Sequence, residues 1–218
     1  IPDSITTMSW KTGRKLFRFF LNASSSPTND TTVLVGEPRS GTTWLAEMIR
    51  TIPNTRCLNE PLLLGLNGIS GFPTFPPRPY VSPNGQYPEL AAYLRRALTG
   101  RVEASGSWFV EAGTQLGKLF EIALSTNLLV KLCRAHRFLQ WMDCQFPLNG
   151  IVLIVRHPCA VVASQMKHGS WDEIESPIEA RRGGQHLHFP ESIQDDVAPV
   201  LSSVDSKASL LAFNWSLD

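Results

Sequence analysis

Two stretches of the 218-residue chain carry side chains suited to binding phosphate-like anions. In the first, Gly36 and Gly41 bound a turn of basic and hydroxyl residues that continues into a helical pattern: Arg39, Ser40, Thr42 and Thr43. Backbone N–H groups of such a turn point inward at the positive end of the helix dipole, which favours an anion. Thr42 stands where a Walker A loop has its lysine, so the positive charge must come from Arg39.

The second stretch has the same strand-turn-helix form. Arg156 follows an apolar run, and Ser164 lies two turns into the helix predicted after it. Pro158 suits the first turn of that helix, where its missing N–H costs no hydrogen bond. A cation at a strand end and a hydroxyl group on the next helix can hold one anion from two sides. The pattern therefore predicts a second anion site.

Apolar runs predict the elements that position these residues. Thr31–Val35 is β-branched and suits a buried parallel strand, and the composition of Ile151–Val155 is typical of a central strand covered on both faces. After the first turn, helical spacing places five apolar residues on one face, which we expect to pack onto a sheet: Trp44, Leu45, Met48, Ile49 and Ile52. The chain is predicted to be α/β, with a central parallel sheet.

Two further strands are predicted to end in charged side chains. Pro53–Pro61 indicates a short strand that ends at Glu60, which Pro61 should hold in an extended backbone. Asn127–Val130 indicates a buried strand with Lys131 at its end. Parallel sheets bind ligands at the carboxyl ends of their strands, so Glu60 should share a crevice with Arg39.

The remaining segments carry no motif that points to a specific chemistry, and their pattern predicts mainly secondary structure. Helices are expected over Pro88–Thr99, Gly113–Ser125, Cys133–Cys144 and Ser206–Leu217, and a brief strand over Trp108–Glu111. Leu62–Pro88, rich in Pro and Gly, is interpreted as an acceptor-binding lid, whereas Gly169–Val204 is polar and loop-rich. Residues 1–30 are predicted to form an N-terminal helix and a linker, followed by one domain over 31–218.

Composition excludes several function classes. The formal charge is +1 with scattered basic residues, which argues against nucleic acid as a partner. No apolar run approaches the roughly 20 residues of a membrane span. The four cysteines contain no C-x-x-C pair, so a zinc site is not expected. Cytoplasmic localisation is expected, or the Golgi lumen if an upstream anchor was removed, and no oligomeric state is indicated.

Pro38–Leu45 resembles the 5′-phosphosulfate-binding loop of sulfotransferases that use 3′-phosphoadenosine 5′-phosphosulfate (PAPS). Arg156 and Ser164 resemble the 3′-phosphate-binding element of the same family, although His157 and Cys159 replace the acidic and basic residues common there. The resemblance implies a three-layer α/β/α fold, PAPS as co-substrate, a hydroxyl or amine acceptor and no metal. Together the two elements select a nucleotide with phosphate groups at both ends.

The resemblance also implies a role for each site residue. The 5′-phosphosulfate would bind the loop residues Arg39, Ser40, Gly41, Thr42 and Thr43, with Thr42 at the leaving group. Lys131 would contact the bridging oxygen, Arg156 and Ser164 the 3′-phosphate, and Trp44 would stack on adenine or belong to the core. Glu60 matches the spacing of the proposed catalytic base in the tyrosylprotein branch, and His136 is the alternative base by analogy with the cytosolic branch.

Two alternative functions stay open. The spacing of Gly36 and Gly41 also fits a P-loop kinase or nucleotide hydrolase, although the lysine is missing. A sulfotransferase-like module that binds nucleotide without turnover is the other alternative. Family members continue past the helix predicted before Asp218 with another strand, so the domain over 31–218 is expected to be incomplete at its C-terminus.

Overall fold

Four parallel strands form the centre of the computed structural model, which describes residues 28–62, 81–101, 124–133 and 135–168. They are β1 (Thr31–Gly36), β2 (Thr55–Asn59), β3 (Asn127–Cys133) and β4 (Gly150–Ile154). Their order across the sheet is β2-β3-β1-β4, and every neighbouring pair is parallel. The predicted α/β class with a parallel sheet is confirmed, and the three-layer arrangement stays a prediction.

Four α-helices are described from end to end and connect or follow these strands: α1 (Thr42–Ile49), α2 (Pro88–Leu98), α3 (Leu139–Gln145) and α4 (Pro158–Met166). The helices predicted after Gly41, from Pro88 and from Pro158 are confirmed. The helix predicted from Cys133 begins only at Leu139, because β3 runs through Cys133 and a 3₁₀ turn, His136–Phe138, precedes α3.

The larger apolar core lies on one face of the sheet. Alternate strand residues such as Val33, Val35 and Val130 pack there against the side chains of α2 and α3. The inward residues predicted for α2 are all buried: Leu90, Tyr93, Leu94 and Leu98. The opposite face carries a smaller cluster in which Leu34 and Leu129 of the strands meet Ala46 of α1. This arrangement fixes α1 and its preceding turn against the sheet.

The apolar face predicted for α1 is wrong in part. Leu45 and Ile49 do pack against the sheet beside Ala46. In contrast, Trp44, Met48 and Ile52 are 68%, 49% and 54% exposed. These three residues recur at every fourth position and so form one line on the side away from the sheet. The small side chain of Ala46 faces the strands instead.

The prediction that Ile151–Val155 is covered on both faces is also wrong. Among the described strands β4 pairs with β1 alone and lies at the end of the order. Val152 and Leu153 are 37% and 48% exposed, and Val155, which follows the strand, is 71% exposed. A short continuous apolar run indicates a strand but does not decide its place in the sheet.

Several predictions lie outside the described residues. They concern the N-terminal helix and most of its linker, most of the lid over Leu62–Pro88, the strand over Trp108–Glu111, nearly all of the helix over Gly113–Ser125, and the segments after His168. Within the described ranges, no helix combines the length and the apolar character that a membrane crossing requires.

Two methionines provide a matched test of the core. Met142 on α3 is fully buried, whereas Met48 on α1 is half-exposed. We expect Met142→Ala to lower the free energy of unfolding by about 2–5 kcal/mol, because it leaves a cavity in the larger core. Met48→Ala should change it by less than about 0.5 kcal/mol. Denaturant titration measures both, and equal losses would contradict the described packing.

Candidate functional site

A cavity of about 430 Å³ lies at the carboxyl ends of the strands. The turn after β1 and the start of α1 line one side with Pro38, Arg39, Gly41, Thr42, Thr43 and Trp44. The segments that end or follow the other strands line the rest with Glu60, Lys131, Cys133, Arg156 and Ser164. The structure therefore brings nine of the ten residues assigned to binding and catalysis to one cavity; the tenth, Ser40, and the alternative base, His136, do not line it.

The turn between β1 and α1 is tightly constrained. Gly41 and Arg39 have left-handed φ values of 108° and 74°, and the N–H of Ser40 donates to the carbonyl of Glu37 at 2.9 Å. At Gly36 an added Cβ would lie 2.3 Å from Ile154 Cγ2 and 2.5 Å from Thr42 Cγ2. Only glycine fits that contact between β1, β4 and the helix start, so the turn is held close to the sheet.

The two predicted anion-binding elements touch each other. Arg39 Nε donates to Ser164 Oγ at 3.2 Å, and Arg156 Nη1 donates to the backbone carbonyl of Arg39 at 3.1 Å. Because β1 and β4 are parallel neighbours, their following segments meet at the same sheet edge. Both guanidinium groups consequently face one cavity rather than opposite sides of the fold.

Lys131 is nearly buried, and its ammonium group makes two hydrogen bonds and one ion pair. Nζ donates to Thr43 Oγ1 at 3.0 Å and to Asn59 Oδ1 at 3.1 Å, and it lies 3.4 Å from Glu60 Oε1. The residue is 6% exposed and lies in β3, two positions before the strand ends, rather than at the end as predicted. An ammonium has three protons, of which two are donated in these hydrogen bonds, and the contact with Glu60 is an ion pair.

Glu60 follows β2, as predicted, but its backbone is not extended. Its φ is 50°, in the left-handed region, although Pro61 follows. Three contacts hold this conformation: its N–H donates to the carbonyl of Lys131 at 2.9 Å, Oε2 accepts from the N–H of Cys133 at 2.9 Å, and Oε1 pairs with Lys131. Both carboxylate oxygens are therefore in contact with protein donors.

Cys133 lines the cavity without having been predicted. Its Sγ lies 3.6 Å from Thr42 Oγ1, and burial raises the pKa of the thiol to about 12, with the negative charge of Glu60 as the next cause. A signal was present in the sequence. Cys133 lies two positions after Lys131, and alternate residues of a strand share one face.

Three other predicted residues differ in whether they reach the cavity. Trp44 lines the cavity and is 68% exposed, so it does not belong to the core. Ser40 belongs to the turn and is 5% exposed; its Oγ has no hydrogen-bond partner in the described part of the chain. His136 lies in the 3₁₀ turn after β3 and does not line the cavity.

The charges of the lining favour an anionic ligand. Arg39, Lys131 and Arg156 bring positive charge to the cavity, and Glu60 is the acidic residue among its lining residues. Guanidinium groups suit phosphate and sulfate oxygens because they offer several N–H donors in one plane. In the described ranges, no group of three or more His, Cys, Asp or Glu side chains could hold a metal ion.

Comparisons of the chain with protein-family models, curated proteins and solved structures find no match. Functional interpretation therefore depends on the cavity and on the two motifs that line it.

The raised pKa of Cys133 predicts an unreactive thiol. At pH 8 iodoacetamide should modify Cys133 more than about tenfold more slowly than the exposed Cys144 and Cys159, because the attacking species is the thiolate and burial disfavours it. Peptide mapping by mass spectrometry follows each site separately. In denaturant the three rates should become similar. Equal rates for Cys133 and Cys144 in the folded protein would contradict the described environment.

Proposed function

We propose that the chain is a PAPS-dependent sulfotransferase, which transfers the sulfuryl group of PAPS to a hydroxyl or amine acceptor and releases adenosine 3′,5′-bisphosphate. One observation carries the proposal: Arg39 and Arg156, from two strand-turn-helix units, line the same cavity. The resemblance of Pro38–Leu45 to the 5′-phosphosulfate-binding loop supports it. The spacing of Glu60 favours the carbohydrate and tyrosylprotein branches over the small-phenol branch.

The lining residues fit a nucleotide with phosphate groups at both ends. The cavity volume of about 430 Å³ lies within the range of roughly 300–1,000 Å³ that is usual for small-molecule sites. Arg39, Thr43 and the N–H groups at the start of α1 would hold the 5′ end. Arg156 and Ser164 would hold the 3′-phosphate, and the exposed ring of Trp44 is free to stack on adenine.

Sulfuryl transfer would proceed as an in-line displacement similar to phosphoryl transfer. A bond forms between the acceptor oxygen and sulfur, and the bond between sulfur and the 5′-phosphate oxygen breaks. Thr42 and Lys131 would donate hydrogen bonds to the departing oxygen, and Arg39 would balance charge on the sulfuryl oxygens. Glu60 would take the proton of the acceptor hydroxyl.

The contacts of Lys131 indicate how Glu60 would become available as a base. The ammonium donates at 3.0 and 3.1 Å to Thr43 and Asn59, and its contact with Glu60 is longer, at 3.4 Å. A hydrogen bond from Nζ to the bridging oxygen would replace that longest contact and release Oε1 of Glu60. The movement of the Lys131 ammonium group toward the leaving group would thus also free the Glu60 carboxylate to act as the base.

Nucleotide binding should depend on both arginines. Arg39→Ala and Arg156→Ala should each weaken binding of adenosine 3′,5′-bisphosphate by about 2–3 kcal/mol, because each removes a charged hydrogen-bond donor. Titration calorimetry measures the loss. Arg96→Ala, on the exposed side of α2, is the matched control and should have no effect. Unchanged affinity in both site variants would refute the assignment.

The kinase or hydrolase alternative is tested on the same protein. A ligand that binds the folded state raises the melting temperature, and by more when it binds more tightly. Adenosine 3′,5′-bisphosphate should stabilise the native protein, and magnesium-ATP should not. The opposite result would favour the alternative.

A second candidate function is a module that binds the nucleotide without turnover. It is favoured by the engagement of both carboxylate oxygens of Glu60 with Cys133 and Lys131. Transfer of labelled sulfate from PAPS to any acceptor, measured with an acceptor array, would exclude it. Nucleotide binding alone would not separate the two functions.

Glu60→Gln separates binding from turnover. The amide keeps the shape of the side chain and an oxygen for the N–H of Cys133, so affinity for adenosine 3′,5′-bisphosphate should stay nearly unchanged. Turnover should fall by about 10²–10⁴-fold, because a general base is lost. Initial rates with labelled PAPS measure this fall. A fully active variant would show that another residue acts as the general base.

A further inference from the structure

A buried side-chain link joins the two anion-binding elements behind the cavity. Gln165, in the last turn of α4, is 1% exposed, and Glu37, at the start of the turn after β1, is 5% exposed. Gln165 Nε2 donates to Glu37 Oε1 at 3.1 Å and to the carbonyl of Pro38 at 3.0 Å. Both protons of the amide nitrogen are therefore used on the turn that carries Arg39.

The position of Gln165 is unusual for an amide. Val161, one helical turn earlier, is fully buried, so Gln165 lies on the inward face of α4, where an apolar side chain is the ordinary choice. Burying an amide costs free energy unless it is hydrogen-bonded. A polar group at this place indicates that its hydrogen bonds are needed by the fold or by the site.

Other contacts between the two elements use groups that the nucleotide would need. Arg39 Nε bonds to Ser164 Oγ, and Arg156 bonds to the carbonyl of Arg39. Under the proposed function these side chains turn to phosphate oxygens when the nucleotide binds. Gln165 and Glu37 are buried and do not line the cavity, so their link can persist in the bound state.

We propose that Gln165 and Glu37 are a positioning pair that sets the separation between the turn bearing Arg39 and the helix bearing Ser164, and thereby selects nucleotides with anionic groups at both the 5′ and 3′ ends. The inference rests on the proposed function. The sheet fixes the strand ends, since Gly36 lies opposite Ile154. Beyond the sheet, this link holds Glu37 and Pro38 to α4.

The pair affects ligands according to how many elements they span. A nucleotide with both phosphate groups loses affinity when one element shifts relative to the other. A nucleotide that occupies only the 5′ end is much less affected. The ratio of the two affinities therefore reports positioning, whereas a general loss of stability lowers the fraction of folded protein for both ligands alike.

Calorimetric affinities for adenosine 3′,5′-bisphosphate and adenosine 5′-phosphosulfate test this inference. Gln165→Leu keeps the volume but removes both hydrogen bonds. We expect it to reduce the preference for the bisphosphate by roughly tenfold, because two buried hydrogen bonds that hold the turn to α4 are lost. Thr31→Val is the matched control. It removes a buried hydrogen bond to the carbonyl of Leu98 at the far end of β1, so it should lower the melting temperature and leave the preference unchanged.

A reciprocal exchange tests whether the two side chains act through each other. Gln165→Glu places a second carboxylate against Glu37 and should also lower the preference. Combining it with Glu37→Gln reverses the direction of the hydrogen bond, so the double variant should recover part of the preference. If Gln165→Leu does not fold, Gln165→Asn, which draws the amide back by one methylene, replaces it in the comparison.

The outcomes separate this inference from the proposed function. If the native protein prefers the bisphosphate and Gln165→Leu keeps that preference, the positioning pair is refuted and the proposed function stands. If the native protein shows no preference, or binds neither nucleotide, the proposed function fails and the inference fails with it. Loss of the preference in Gln165→Leu and in Gln165→Glu, with partial recovery when Gln165→Glu is combined with Glu37→Gln, would support the positioning pair.

Discussion

The nearly buried ammonium group of Lys131 is the constraint on which the site depends. A buried cation is costly unless it is paired and hydrogen-bonded, and the partners of Lys131 come from two segments: Thr43 on α1, and the consecutive residues Asn59 and Glu60 at the end of β2. Removing any one of them would leave a desolvated charge with one partner fewer. The same contacts that stabilise the cation therefore hold the carboxyl edge of the sheet together.

Glu60 shows how this edge is built. A left-handed backbone costs a non-glycine residue about 1–3 kcal/mol, and Pro61 adds a further restriction. The conformation persists because the N–H of Glu60 bonds to Lys131, while its carboxylate bonds to Cys133 and pairs with Lys131. Strain at this residue is thus offset by β3, which gives the carboxylate one fixed place beside the cationic lining of the cavity.

Features that depend on neighbouring residues could be predicted from the sequence. The glycine-bounded turn, the charged residues after apolar runs and the inward face of α2 were all visible as short-range patterns, because strand and helix periods are properties of the chain itself. Parallel strands also place their carboxyl ends at one edge. The meeting of Arg39, Glu60 and Arg156 at one cavity followed from that rule, whereas the place of Lys131 there was implied by the resemblance to sulfotransferases.

Contacts between distant segments could not be predicted in the same way. Several features depend on which segments become neighbours: the exposed line of Trp44 and Met48, the place of β4 at the end of the described strand order, the left-handed backbone of Glu60 and the burial of Ser40. The sequence alone thus determined the elements and the chemical types at their ends, since those follow from neighbouring residues. Only the tertiary structure decided the partners of Lys131 and the buried link from Gln165 to Glu37, because hydrogen bonds across the sheet edge join residues that are far apart in the chain.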